Sequence, residues 1–174
     1  MGVEIRRASE ADVSALARVG AALFEQTYGG SIPPDEMASH LEQDFGEEIQ
    51  LRELRDPNIS SFLVEEKGQV VGFAQLRRAP LPAAASAVAE VELWRIYLDR
   101  RLHGRGIARR LLAELGVQAR AMGATGVWLA VWEKNARAIS FYQKHGFEHV
   151  GRQDFHVGGE VHCDLVLRGP ADAF

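Results

Sequence analysis

The sequence has one cysteine, no long hydrophobic run and no excess of positive charge, and each absence excludes a class of protein. Cys163 cannot form an internal disulfide, which agrees with a reducing compartment, so we expect a cytoplasmic protein. Apolar stretches such as the six residues 127–132 fall far short of the ~18 that cross a bilayer, so we expect no membrane segment. Arginines and glutamates near the start interrupt the apolar core that a secretory signal needs.

Charge is uneven along the chain although the total is close to balanced. There are 20 Lys and Arg against 24 Asp and Glu, a formal net charge of −4, which does not favour a general nucleic-acid binder. Residues 25–56 contain nine acids and two arginines, whereas residues 100–110 contain five arginines and no acid. The sequence therefore predicts one segment that attracts cations and one that attracts anions.

Length and composition predict one ordinary globular domain. The 174 residues exceed the rough prior of about 150 per domain by too little for a second core, so we expect a single domain over residues 1–174. The 47% of hydrophobic and 25% of charged residues exclude the disordered, collagen and coiled-coil classes.

Hydrophobic periodicity and turn residues predict alternating strands and helices. A capping box at Ser9–Asp12 begins a helix that stops by Gly29 and Gly30, and the apolar period of 106–122 marks another helix. A strand on each side of that second helix implies a parallel pair. The remaining predictions are strands at 3–7, 60–65, 69–76, 88–98, 127–132, 147–157 and 161–167, two short helices between 37 and 54, a helix at 135–145, and an exposed loop at 79–87.

The turn between strand 88–98 and the following helix has the composition of a phosphate site. In the stretch His103-Gly-Arg-Gly-Ile-Ala108, two glycines and an alanine leave the amides uncovered at a helix N-terminus, where the dipole is positive. Neighbouring arginines suit a ligand with more than one phosphate. A purely structural use of the glycines explains the pattern equally well. The turn lacks the Gly-Lys-Ser/Thr of a Walker loop, and Arg109 stands where a Rossmann fingerprint needs a small residue, so neither ATP nor NAD is favoured.

A second motif supports a functional interpretation of this turn. It is N-A-R-A-I-S-F-Y-Q-K-H-G-F at 135–147. The two motifs and the order of elements together resemble the GCN5-related N-acetyltransferases, the GNAT family, over nearly the whole chain. The resemblance implies an α/β (α+β) fold with one mixed, mostly antiparallel sheet of about seven strands, a splayed parallel pair in its centre and helices on both faces. It also implies transfer of an acetyl group from acetyl-CoA to a primary amine by direct attack.

The resemblance further implies which residues bind acetyl-CoA. The turn and the start of the helix match the family's pyrophosphate cradle, the end of the preceding strand would hold the pantetheine arm through main-chain groups, and an asparagine matches a cofactor contact. His103 stands where the family usually has Gln or Arg, which leaves its side-chain contact open although the backbone cradle does not need it. The implied set is Ile96, Tyr97, Leu98, His103, Gly104, Arg105, Gly106, Ile107, Ala108, Arg109, Asn135 and Tyr142.

Three side chains are candidates for proton transfer. Tyr142 matches the tyrosine that in this family protonates the leaving CoA thiolate, and a free thiol and a phenol differ by only about 1.5 pKa units; simple core packing is the alternative. A protonated amine needs a base or a water chain, and Glu90 and Glu92 point to one face of their strand. We favour Glu92 over Glu90, with solvated edge glutamates as the alternative, and expect a backbone amide near Leu98 to stabilise the oxyanion.

Other residue types are predicted to be structural. His145 and His149 straddle Gly146, and His156 and His162 cross a hairpin without a third obvious ligand, so we expect no metal. Cys163 is interpreted as inert packing. The tryptophans lie among apolar strand residues, which favours core packing over base stacking; they are Trp94, Trp128 and Trp132.

The acceptor is predicted less directly. In GNAT proteins the first two helices commonly wall the acceptor side, and here that segment is acidic, which favours a cationic acceptor such as a polyamine. The strand E-L-x-R-I-Y-L and the tail F-H-V-G-G-E-V-H-C-D-L-V-L also resemble the PaiA-type polyamine acetyltransferases. A protein N-terminus, an aminoglycoside or another small amine stay open as acceptors, as does a non-catalytic acyl-CoA-binding regulatory module. Homodimers are common in the family, so the resemblance implies a homodimer through the C-terminal hairpin as an expectation for this chain.

Overall fold

The computed structural model describes residues 2–82, 89–157 and 160–172. These ranges contain strands and α-helices in the order that the sequence predicts, with 3₁₀ turns at Glu10–Asp12 and Arg100–Leu102. The elements are β1 (Val3–Arg7), α1 (Val13–Tyr28), α2 (Pro34–Phe45), α3 (Glu47–Arg55), β2 (Ile59–Glu66), β3 (Gln69–Arg77), β4 (Glu90–Leu98), α4 (Ile107–Ala121), β5 (Gly126–Trp132), α5 (Ala136–Lys144), β6 (Glu148–Val157) and β7 (Glu160–Pro170).

The strands of the described ranges form one seven-stranded sheet in the order β1-β2-β3-β4-β5-β7-β6. β1 and β2 are antiparallel, β5 and β7 are antiparallel, and β4 and β5 are parallel. The predicted fold class is therefore confirmed, including the parallel pair near the centre. β5 has a neighbouring strand on each side and buries most of its residues. This agrees with its sequence, since an apolar run without alternation predicts a central strand covered on both faces.

Local chemistry explains where the main helices begin and end. Ser9 donates its N–H to Asp12 Oδ2 at 2.8 Å, which completes the predicted capping box, but this cap begins a 3₁₀ turn and α1 itself starts only at Val13. The Arg6 guanidinium hydrogen-bonds the same carboxyl and holds the pKa of Asp12 well below its usual range. Just beyond the C-terminal end of α4, Gly123 takes φ +78°, a conformation that favours glycine.

The contacts of the chain divide it into two compact units. The first comprises the residues up to Gln75 together with Arg95–Leu111, and in it α1 packs on α2 and α3 while α3 packs on β2. The second comprises Leu76–Trp94, Leu112–His156 and the residues from Glu160 onward, and it is built on the extensive pairing of β5 with β7. The single domain expected over 1–174 stays a prediction.

Some sequence predictions fall outside the described residues. Most of the loop expected at 79–87, the first residue of the strand expected at 88–98 and the turn expected at 158–159 are among them. Within the described ranges, no helix combines the length and the apolar character that crossing a membrane requires.

Candidate active site

The turn before α4 has a backbone that only glycine adopts readily. Gly104 and Gly106 have φ of +76° and +75°, where an L side chain is strained. A Cβ added at either glycine would meet none of the described residues within 4 Å, so they leave the space beside the turn open. Conformation alone therefore explains both glycines, and the open space leaves room for a ligand against the backbone.

The amides that follow this turn point out of an exposed helix N-terminus. The first bond of α4 joins the Arg110 N–H to the Gly106 carbonyl at 3.1 Å, so the N–H groups of residues 106–109 have no acceptor within the helix. Ile107 is 5% exposed and anchors the helix, while residues 104–106 are exposed. Unpaired amides and a positive dipole end form the kind of site that binds phosphate oxygens.

Two arginines of the arginine-rich segment, residues 100–110, form ion pairs with acids. Arg105 Nη2 lies 2.7 Å from Glu66 Oε1, and Arg101 Nη2 lies 2.9 Å from Asp99 Oδ2. These arginines lower the pKa of both carboxyls. Residues 100–110 contain no acid, as counted from the sequence, but two of their arginines are paired in space with acids that lie outside the segment. Arg109 is exposed.

The end of β4 presents alternate main-chain groups to two sides. The Asp99 N–H donates to the Val71 carbonyl of β3 at 2.9 Å, and a Cβ at Gly72 would lie 2.9 Å from the Tyr97 carbonyl oxygen. The polar groups of Tyr97 therefore face β3, and by alternation those of Ile96 and Leu98 point away from it. Of the three main-chain contacts that the resemblance implies, the geometry favours these last two.

Both candidate bases are buried and paired with arginine. Glu90 and Glu92 stand opposite Gly126 and Trp128 of β5, so they point to the same face, as predicted. Glu92 is 4% exposed and forms an ion pair with Arg77, while the Glu90 carboxylate is paired with Arg168. The alternative of solvated edge glutamates is therefore wrong. The register of β4 with β5 runs from Glu90 to Glu92, which makes Glu92 its last paired residue.

The residues of the second motif have structural partners of their own. Tyr142 is 6% exposed, and its ring lies edge-on to Phe141 and Phe147, with centroids 5.4 and 5.5 Å away. Asn135 caps α5, since its Oδ1 accepts the Ala138 N–H at 3.2 Å. Packing and capping explain the positions of these two side chains. Their roles toward acetyl-CoA stay predictions.

A buried network of ion pairs and hydrogen bonds offsets part of the negative charge of the acidic segment, residues 25–56. Arg95 Nη1 lies 2.7 Å from Glu53 Oε2 and donates to Gln75 Oε1 at 2.9 Å. Arg95 Nη2 also approaches Asp44 Oδ1 at 4.0 Å. Two of the acids counted in residues 25–56 therefore face an arginine from β4. Sequence reasoning missed this pairing because the partners are about forty to fifty residues apart.

Asp164 on β7 is a second feature that sequence reasoning missed. It is 8% exposed, stands opposite Trp132 of β5, and its Oδ1 is buried with no hydrogen-bond partner among the described residues. Burial raises the pKa of Asp164 to about 6, against a smaller opposite effect of His162. The available signal was an acid inside the otherwise apolar run C-D-L-V-L. Among the described residues, no group of three or more His, Cys, Asp or Glu side chains could hold a metal ion.

Comparison with known proteins agrees with this site. The sequence model of the Acetyltransferase (GNAT) family matches residues 22–147, a stretch that includes both the glycine turn and the second motif. The chain belongs to the GNAT family of acetyltransferases. An uncharacterized N-acetyltransferase of Mycobacterium bovis is 31% identical over 156 residues, which cover 90% of this chain and 96% of that protein. The predicted enzyme class, an N-acetyltransferase, is thereby confirmed.

Two further similarities concern proteins with described ligands. The spermine/spermidine N(1)-acetyltransferase of Bacillus subtilis is 32% identical over 91 residues, 51% of this chain and 59% of that enzyme. The crystal structure of the PaiA N-acetyltransferase from Thermoplasma acidophilum in complex with coenzyme A matches with a TM-score of 0.78 and 24% identity, covering 98% of this chain and 99% of that one. The structural likeness shows the fold.

Proposed function

We propose that this chain transfers the acetyl group of acetyl-CoA to a primary amine, and that the acceptor is a polyamine. The observation that carries the proposal is the exposed turn at Gly104–Gly106, with two left-handed glycines at the N-terminus of a helix in a chain of the GNAT family. A diphosphate needs donors that can approach closely without side chains in the way. That requirement matches this turn.

The residues present fit acetyl-CoA. The amides of residues 106–109 would bind the pyrophosphate, with Arg105 and Arg109 adding positive charge. Main-chain groups of Ile96 and Leu98 would hold the pantetheine arm, because they point away from β3. His103 ends the short 3₁₀ turn before the glycines, so its backbone can contribute whatever its side chain does.

The chemistry requires three proton transfers and no covalent enzyme intermediate. Glu92, directly or through water, accepts the proton of the acceptor's ammonium, which frees the nitrogen lone pair. The nitrogen attacks the thioester carbonyl and forms the C–N bond, the C–S bond breaks, and Tyr142 gives its phenolic proton to the departing sulfur. The nitrogen then loses its second proton to the Tyr142 phenolate, directly or through water, which leaves a neutral amide and restores the phenol. The Leu98 N–H stabilises the oxyanion formed on the way.

Charge supports a cationic acceptor. Five acids on and around α1, α2 and α3 are exposed, and unlike Glu53 they are not part of the buried network; they are Glu25, Asp35, Glu42, Glu47 and Glu48. Such a surface raises the local concentration of polycations and orients their approach. The similarity to the Bacillus subtilis spermine/spermidine enzyme over half of this chain supports the same class of acceptor.

An assay of acetyl-CoA-dependent thiol release over an amine panel tests the proposal. The panel contains spermidine, spermine, an aminoglycoside and a peptide with a free N-terminus, and mass spectrometry identifies any acetylated product. We expect release with spermidine or spermine at a kcat/KM well above that with the other amines. Preference for the aminoglycoside or the peptide would contradict the polyamine assignment, and tight CoA binding with no acceptor-dependent release would favour a regulatory module.

A further inference from the structure

The buried acids of the described ranges differ in one respect. Three of them face an arginine: Glu53 lies beside Arg95, Glu92 beside Arg77 and Glu90 beside Arg168. Asp164 is also buried, at 8% exposure, yet within the described residues it has no arginine or lysine partner, and its Oδ1 accepts no hydrogen bond. The neighbouring His162 opposes the effect of burial only in part. A buried carboxylate without a full countercharge costs several kcal/mol, and a bound cation would recover part of that cost.

The surroundings of Asp164 contain a second group that attracts cations. In the register of β7 with β5, Asp164 stands directly opposite Trp132, so the two side chains begin about 5 Å apart on one face of the sheet. The Lys134 ammonium lies 5.7 Å from the centroid of the Trp132 ring, and the His162 ring meets the same ring edge-on with centroids 6.0 Å apart. A carboxylate and an aromatic face together form a chemical environment that binds ammonium groups.

We propose that Asp164 and Trp132 form a subsite that binds a second ammonium group of the acceptor and so selects diamines and polyamines over monoamines. The proposal deepens the acetyl-transfer function proposed above and rests on it. A bound ammonium would supply the cation that Asp164 lacks, as arginines do for the other buried acids.

The register also gives the length of acceptor that fits. Glu92 stands opposite Trp128, and Trp132 lies four residues further along the same strand, on the same face. Four residues of strand span about 13 Å. An acceptor whose reacting nitrogen lies at Glu92 and whose second ammonium lies at Asp164 must therefore be long and extended, as linear polyamines are.

A binding measurement tests the subsite without requiring turnover. Spermidine and n-octylamine, a monoamine of similar length, are titrated by calorimetry into the full chain with and without CoA. Asp164→Asn removes the charge and keeps the shape, and Asp154→Asn, at an exposed position on β6, is the matched control. We expect Asp164→Asn to weaken spermidine binding about tenfold or more, while octylamine binding and the control variant stay unchanged. Trp132→Leu should shift spermidine binding in the same direction, and thermal unfolding of each variant checks that it is folded.

Turnover then separates the subsite from the proposed function. With acetyl-CoA as donor, Asp164→Asn should raise the KM for spermidine about tenfold and leave kcat nearly unchanged, because the reacting nitrogen is held elsewhere. Equal spermidine binding in the wild type and Asp164→Asn would overturn the subsite, as would equal loss for both amines. Spermidine binding that depends on Asp164 without any acetylated product would support the subsite and contradict the acetyl-transfer function. Spermidine acetylation with the same KM in the wild type and in Asp164→Asn would support the acetyl-transfer function and contradict the subsite.

Discussion

The glycine turn before α4 and the carboxylate-bearing face of β4, β5 and β7 use different parts of the chain. The turn acts through its backbone: two left-handed glycines, a run of unpaired amides and open space beside them. The strand face acts through side chains whose partners come from distant strands, as in the pairs of Glu92 with Arg77 and Glu90 with Arg168. Backbone sites are thus visible in a few consecutive residues, whereas side-chain sites appear only after the sheet has been assembled.

The largest expected effect tests whether Tyr142 belongs to the chemistry or to the packing. Tyr142→Phe keeps the ring between Phe141 and Phe147 and removes the hydroxyl that would protonate the thiolate. We expect kcat to fall by about 10²–10⁴ with CoA affinity nearly unchanged. Steady-state kinetics and calorimetry measure the two quantities. Activity at the wild-type level would show that the ring serves packing alone.

The next effect separates two carboxylates that are alike in burial and pairing. Glu92→Gln should lower kcat by about 10²–10³ and alter the pH profile, because the base is lost. Glu90→Gln is the matched control, since it also loses a buried, arginine-paired carboxylate. Its kcat should stay within a few-fold of the wild type, and its main effect should be on stability. A larger loss of kcat in Glu90→Gln would reverse the assignment of the base.

A third prediction uses the pH dependence of stability at Asp164. Burial raises the pKa of this carboxyl from the ordinary 3.8 to about 6, so the folded chain holds the proton more tightly than the unfolded chain. Stability contributed by this group is therefore lost as the pH rises from about 4 through 6, by about 3 kcal/mol at most. Asp164→Asn should exceed the wild type in unfolding free energy at pH 7.5, with a smaller difference at pH 4.5.

Urea unfolding at the two pH values measures this effect, with Asp154→Asn as the control. A variant that is less stable than the wild type at pH 7.5 would contradict the interpretation of Asp164 as an unpaired buried charge. Added spermidine should narrow the difference by stabilising the wild type more than Asp164→Asn, because a ligand that binds the folded state more tightly raises its stability more.

The smallest expected effect concerns competition between Glu66 and the pyrophosphate of CoA for the Arg105 side chain. Glu66→Gln removes the carboxylate that holds Arg105, an exposed pair that contributes little because solvent screens it. We expect CoA affinity to rise by up to about fivefold, with a gain that shrinks as salt is added. Calorimetry at two salt concentrations measures it. Weaker CoA binding in Glu66→Gln would mean that the pair helps to shape the site.

The difference between backbone sites and side-chain sites also decides which features could be predicted from the sequence. Strand and helix order, the parallel pair and the glycine turn follow from periodicity and local spacing, and the structure agrees with them. The acids that pair with Arg105 and Arg95, and the register that sets Asp164 opposite Trp132, could not be predicted, because in each case the two residues are far apart along the chain. Burial of Glu90 and Glu92 was missed for the same reason, since alternation gives the face of a side chain and not what covers it.

The most direct test of the account is the affinity of the glycine turn for CoA. Gly104→Val places a β-branched side chain at φ +76°, and Gly123→Val does the same at φ +78° beyond the far end of α4, again with nothing within 4 Å of the added Cβ. The backbone strain is matched, at roughly 1–3 kcal/mol in each case. The account predicts that calorimetry detects saturable CoA binding in the wild type and Gly123→Val and none in Gly104→Val. Wild-type affinity in Gly104→Val, or no binding by the wild type, would contradict it.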